Sequence, residues 1–174
     1  MRFWARTAVV ASLISCTTLA QSQARTLINT PTQQVNLPGT PGHEVVLGSV
    51  ALGKPRTFSM FDIQAAGYIT PDPDLNGATF QLRFWICDQP DCSGDIRSTT
   101  RILPDADSVS PAQVIATRSF GVSTHNAEPV VLTDLKPRTS AGILYLAVSL
   151  KLVRGSGTTP FVGKLNLLRV DVMP

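Results

Sequence analysis

Residues 143–153 read ILYLAVSLKLV, with Leu144, Leu146, Val148, Leu150 and Leu152 at every second position. In an extended chain successive side chains point to opposite faces, so this stretch becomes a strand with one continuous apolar face. Wound as a helix, the same five residues would scatter around the axis and bury nothing coherently. The pattern recurs. ATFQLRFWIC (78–87) puts Phe80, Leu82 and Phe84 on one face and Gln81 and Arg83 on the other. KLNLLRVDV (164–172) puts Leu168, Val170 and Val172 inward and Arg169 and Asp171 outward. Further strand-length runs fall at 44–52, 56–63, 113–122 and 129–135, with short ones expected near 65–70 and 96–103. Gly and Pro punctuate them, and no run has convincing helical periodicity. This organisation predicts an all-β, two-sheet antiparallel sandwich, Ig-like or jelly-roll, of about 7–9 strands.

The N-terminus carries a different signal. Arg2 and Arg6 precede the apolar stretch TAVVASLIS (7–15), and small residues follow at TLA and SQA. A positive start, a short apolar core and a small-x-small exit describe a secretory signal peptide. The apolar stretch is too short for a bilayer, which needs about 20 residues, so no transmembrane span is expected. Cleavage after Ala20 or Ala24 is one route. LISC (13–16) offers another, because it resembles a bacterial lipobox that would place a lipid on Cys16. The expected organisation is a leader over 1–24, an extended lead-in over 25–43 (rich in Pro, Gly, Thr and Gln) and one β-sandwich domain over 44–174. The compartment implied is exported: the periplasm, outer membrane or surface of a bacterium.

Cysteine usage agrees with export. Apart from Cys16 the chain has only Cys87 and Cys92, in CDQPDC. The spacing is not the C-x-x-C of redox or zinc motifs, so a disulfide is expected. It would close a short loop and stabilise by about 2 kcal/mol in the chain-entropy model. Charge excludes one class of partner. With Arg2 and Arg6 in the leader, 13 basic residues face 12 acidic ones, and no Lys or Arg run remains. Nucleic acid binding has no electrostatic footprint here.

Chemistry-bearing motifs are sparse. PDPDLNG (71–77) places Asp72, Asp74, Asn76 and Gly77 at the first ligand positions of a calcium loop, but position 12 is Arg83 where a bidentate Glu is needed. Asn76-Gly77 reads more simply as a hairpin turn. Calcium at Asp72, Asp74 and Asn76 would require carboxylates from the acidic segment 88–107, and no other cofactor is expected. RGSGTTP (154–160) also reads as a hairpin turn. His43-Glu44 and His125 near Glu128 fit no zinc pattern. No nucleophile elbow or nucleophile–base–orienter set is visible, so a hydrolase is the weakest reading and no catalytic residue is assigned.

The polar, Pro-dotted segment 87–112 is the natural contact surface, since long loops in compact domains often carry function. Candidate binding residues are Trp85, Asp88, Asp91, Asp95, Arg97 and Arg101. Trp85 follows Phe84 in a strand, so the two face opposite ways. Trp85 then lies either under a loop or open to a sugar ring or a partner.

TDLKPRTSAGILYLAVSLKL (133–152), through Leu135, Pro137, Thr139 and Tyr145, resembles the strand-turn-strand of bacterial pre-peptidase C-terminal and fibronectin-like sandwich modules. LGSVALGKPRTFSMFDIQAAG (47–67), with Gly48, Phe58 and Gly67, is similar to the opening strands of the former. The resemblance implies a non-catalytic appendage of an exported protein that aids adhesion, secretion or substrate contact, and it carries over no site residue. The expected partner is another envelope or surface protein. A surface polysaccharide, held with or without calcium, is the alternative. Oligomeric state is not legible.

Overall fold

The computed structural model describes residues 23–31, 33–92, 109–126, 128–155 and 160–174. The expected all-β sandwich is present, but with eleven strands among the described residues rather than the expected 7–9, because the lead-in pairs with the sheet and the runs 56–63 and 113–122 each hold parts of two strands. In chain order they are β1 (Arg25–Asn29), β2 (Gln34–Leu37), β3 (Glu44–Gly53), β4 (Thr57–Phe58), β5 (Met60–Thr70), β6 (Thr79–Cys87), β7 (Ser110–Ile115), β8 (Ser119–His125), β9 (Val130–Val131), β10 (Leu144–Arg154) and β11 (Phe161–Met173). One short helix, α1 (Pro73–Asn76), joins β5 to β6.

Two antiparallel sheets face each other. The first runs β1-β11-β5-β8, with β2 continuing along the same edge of β11 as β1; the second runs β3-β10-β6-β7. β4 and β9 form a small third pair. The core lies between the two large sheets. β10 supplies Leu144, Leu146, Val148, Leu150 and Leu152, and β6 supplies Phe80, Leu82, Phe84 and Ile86. Opposite them stand Phe61, Ile63 and Ile69 of β5 and Leu165, Leu168, Val170 and Val172 of β11. Burying each such side chain is worth about 1.5–3 kcal/mol, and period two is how a strand collects several of them. β11 changes phase where its register slips between Leu165 and Leu167, which moves the inward set from odd to even positions.

Several sequence expectations are corrected. The lead-in 25–43 is not free of elements: Arg25–Asn29 and Gln34–Leu37 pair along β11. The run 56–63 does not end at 63, because β5 continues to Thr70. Its apolar signal fades at Ala65, Ala66 and Gly67 because the fold needs small residues there. A Cβ on Gly67 would lie 2.2 Å from the Lys164 carbonyl oxygen and 2.6 Å from Phe120 Cζ. The run 113–122 is two strands. β7 pairs with β6 in the second sheet and β8 with β5 in the first, and residues 116–118 carry the chain across. Asn76-Gly77 is no hairpin turn, because β5 and β6 lie in different sheets. Gly77 instead ends α1 in the left-handed conformation, φ 63°, a cap for which glycine has no Cβ penalty. The 154–160 stretch likewise joins strands of different sheets rather than a hairpin; residues 156–159 lie outside the described ones. The expected short strand near 96–103 also lies outside them.

Candidate functional site

Alternation puts Arg83, Trp85 and Cys87 on the face of β6 that points away from the core. In most sandwiches that face is wet. Here it is dry. Trp85 is 1% exposed and Cys87 and Cys92 are 0% exposed; with Val46 and Ala147 they form a second apolar cluster, against which Tyr145 packs. Register sets three polar side chains in a row across this face, since Ser149 of β10 lies opposite Arg83 of β6 and near Glu44 of β3. Arg83 Nη1 donates to Glu44 Oε2 at 2.9 Å, Ser149 Oγ donates to Glu44 Oε1, and Trp85 Nε1 donates to Ser149 Oγ at 3.0 Å. All four residues are buried. Arg83 lies on the face opposite Phe80, Leu82 and Phe84, as alternation predicts, and that face is covered around it. Trp85 takes the covered alternative, and its ring presents no open face to a sugar.

The disulfide loop follows directly. Cys87 and Cys92 are joined, with Cα atoms 6.2 Å apart. Asp88, fully buried, accepts from Arg138 at three points: the backbone N at 2.8 Å, Nε at 2.9 Å and Nη2 at 3.2 Å. The Arg138 side chain holds the Asp88 carboxyl below the usual carboxylate range, against the upward push of burial. Asp88 is thus an anchor for the 136–139 segment. A carboxyl depressed on folding contributes stability that is full above the unfolded titration near 4 and is lost as pH falls through the lower folded value. Asp88→Asn is therefore expected to lower the urea midpoint at neutral pH and to narrow its gap to wild type on acidification. A gap that widens toward low pH contradicts this. Of the other loop candidates, Asp91 is exposed at the loop's end. Asp95, Arg97 and Arg101 lie outside the described residues, as does Cys16.

Two of the three calcium candidates, Asp72 and Asn76, are turned onto the local backbone. Asp72 caps α1, its Oδ1 accepting from Asp74 N at 3.1 Å, and Asn76 Nδ2 donates to the Asp72 carbonyl at 2.7 Å. Among the described residues no three His, Cys, Asp or Glu side chains are grouped to hold a metal.

His125 pairs through Nδ1 with Asp62, its register partner on β5, and Asp171 is the next residue across on β11. A histidine oriented by a carboxylate is one part of a nucleophilic site. The row lies on the outer face of the first sheet, the His125 side chain is 68% exposed, and among the described residues no hydroxyl or thiol is within hydrogen-bond reach of its other nitrogen. Asp171 is held below its ordinary range by the Thr26 hydroxyl and then by Arg169. These charges are spent on one another.

A concavity lies elsewhere among the described residues. A cleft of about 950 Å³ runs between the β1–β2 edge of the first sheet and β3, the edge strand of the second sheet, with the disulfide loop as its rim. Its wall is tied together. Asn29 Nδ2 donates to the Ser49 carbonyl at 2.5 Å, and Ser49 Oγ donates to the Pro90 carbonyl at 2.7 Å. Pro31 lies so close over Gly48 that a Cβ there would sit 2.8 Å from Pro31 Cγ. Val35, Val45 and Leu47 give the cleft an apolar floor, and Gln33, Asn36 and His43 a polar rim. Sequence reasoning missed it because the lead-in showed no element, so nothing paired it with β3.

Among the described residues no helix is long and apolar enough to cross a membrane. The chain matches no protein-family model and no curated protein.

Proposed function

We propose that the protein is an exported, non-catalytic β-sandwich module of the bacterial envelope that works by contact, gripping an extended segment of another envelope or surface protein in the cleft beside β3. The leader-like start and the Cys87–Cys92 pair support export. The observation that carries the contact reading is the Asn29 amide on the Ser49 carbonyl. An edge strand presents backbone groups that a further strand can pair with. Here the Asn29 side-chain amide donates to the Ser49 carbonyl, so this β3 carbonyl points into the cleft, the side from which a peptide strand would approach. The adjoining floor of Val35, Val45 and Leu47 offers apolar seats for alternate side chains.

A photo-crosslinking amino acid at Gln33 or Asn36, both exposed on the rim, tests this in the envelope of the producing cell. The expected result is a discrete adduct with one envelope protein at both positions and none at Leu75, which is 85% exposed on α1. Adducts at 33 and 36 no different from those at 75 would overturn the reading. Adducts at 97 alone would move the contact to the 93–107 segment.

A further inference from the structure

The outer face of the first sheet holds a second, unrelated depression of about 480 Å³, lined by Gln34, Tyr68, Thr70, Arg118 and Ser119. Its floor is Tyr68 of β5. Register places Lys164 of β11 on one side of this tyrosine and Ser119 of β8 on the other. The Lys164 ammonium stands 5.8 Å from the ring centroid, and Gln34 Nε2 donates to Tyr68 Oη at 3.2 Å. Arg118 sits in the turn that carries the chain from β7 to β8. That turn is pinned: Ile69 N donates to the Arg118 carbonyl at 2.7 Å, and Thr117 Oγ1 donates to the Ser119 carbonyl at 3.0 Å. The Arg118 side chain itself is exposed and has no ion-pair partner among the described residues.

These features differ from those of the β3 cleft. Every liner is polar, one is aromatic and one is a cation, Lys164 adds a second cation over the ring, and no carboxylate lines the depression among the described residues. An amide and two hydroxyls suit sugar hydroxyl groups, an aromatic ring suits the C–H face of a pyranose, and a guanidinium suits a carboxylate or sulfate oxygen pair. The volume is within the range of small-ligand sites. Charge alone is too sparse for a polyanion footprint of the nucleic-acid kind.

We propose that the Tyr68–Arg118–Lys164 depression binds an acidic saccharide, with the ring stacked at Tyr68 and the anionic group on Arg118 and Lys164. This site is independent of the β3 cleft and of its protein partner.

The test is titration calorimetry of the purified protein with oligogalacturonate, with uncharged dextran oligomers and with oligoglutamate. Wild type is expected to bind oligogalacturonate about tenfold or more tighter than either control. Arg118→Gln is expected to weaken that binding by about tenfold, the worth of one charge-assisted hydrogen bond, with an unchanged melting curve. Lys164→Gln is expected to act in the same direction, and Tyr68→Ala to abolish binding. Equal affinity for oligoglutamate would mean that charge alone is read, as on an acidic protein, and would overturn the proposal. So would the absence of binding to oligogalacturonate, or binding that Arg118→Gln leaves unchanged. None of these outcomes bears on crosslinking at Gln33.

Discussion

Glu44→Ala is expected to destabilise the protein by about 3–5 kcal/mol, the usual cost of removing one partner of a buried ion pair. For a chain of this size that lowers the melting temperature by roughly 10 °C. Glu44 receives Arg83 on one carboxylate oxygen and Ser149 on the other, in a place where all three are out of water. Removing the carboxylate leaves a guanidinium in low dielectric without the anion it addresses there. The apolar double replacement Glu44→Met with Arg83→Met is expected to recover most of the loss, because a buried pair exchanged for hydrophobic residues of similar volume is often close to neutral. Urea melts of the two variants check this. A loss below about 1 kcal/mol in Glu44→Ala would place the pair in solvent, where exposed ion pairs contribute that little.

Trp85→Ala is expected to cost a similar amount, about 3–5 kcal/mol, as for other large buried aromatics. The ring fills the outer cluster against Val46, Ala147 and the disulfide, and its indole N–H holds Ser149. Trp85→Phe keeps most of the apolar contact and loses that hydrogen bond, so it is expected to cost about 1 kcal/mol for the bond plus a small packing loss. Because Ser149 bridges Trp85 and Glu44, the effects of Trp85→Phe and Glu44→Ala should not add. A coupling of about 0.5 kcal/mol or more in the double-mutant cycle is the expected sign. If Trp85→Ala left stability unchanged and removed a binding activity, the residue would be a ligand platform after all.

How much of this was legible follows from what alternation encodes. A period of two announces that a strand has two unlike faces, and Leu144 to Leu152 and Phe80 to Phe84 were read correctly on that basis. It says nothing of what covers the second face. Arg83 and Ser149 lie on the face opposite the apolar runs, and around Trp85 that face is a second interior. Small residues weaken the apolar signal where backbones crowd, so Ala65, Ala66 and Gly67 made β5 read as a run ending at 63 and a separate short strand near 65–70. Turn chemistry is local and sheet membership is not. Asn76-Gly77 is a good hairpin signal that closes a helix here, because its flanking strands belong to opposite sheets. The β3 cleft and the Tyr68 depression were invisible for the same reason. Each joins residues far apart in sequence, Asn29 with Ser49 and Gln34 with Tyr68, through pairings with β11 that no short window contains.

Around Trp85 the outward face of the second sheet is interior, which assigns the charged and aromatic residues there to stability and leaves the β3 edge for contact. Only Trp4 and Trp85 fluoresce as indoles in this chain, so a Trp4→Phe variant isolates the decisive ring. Iodide quenching of its native-state emission is the direct measurement. The account predicts blue-shifted emission that iodide scarcely touches until urea unfolds the chain. Emission at the position of free tryptophan, quenched as readily before unfolding as after, would contradict it.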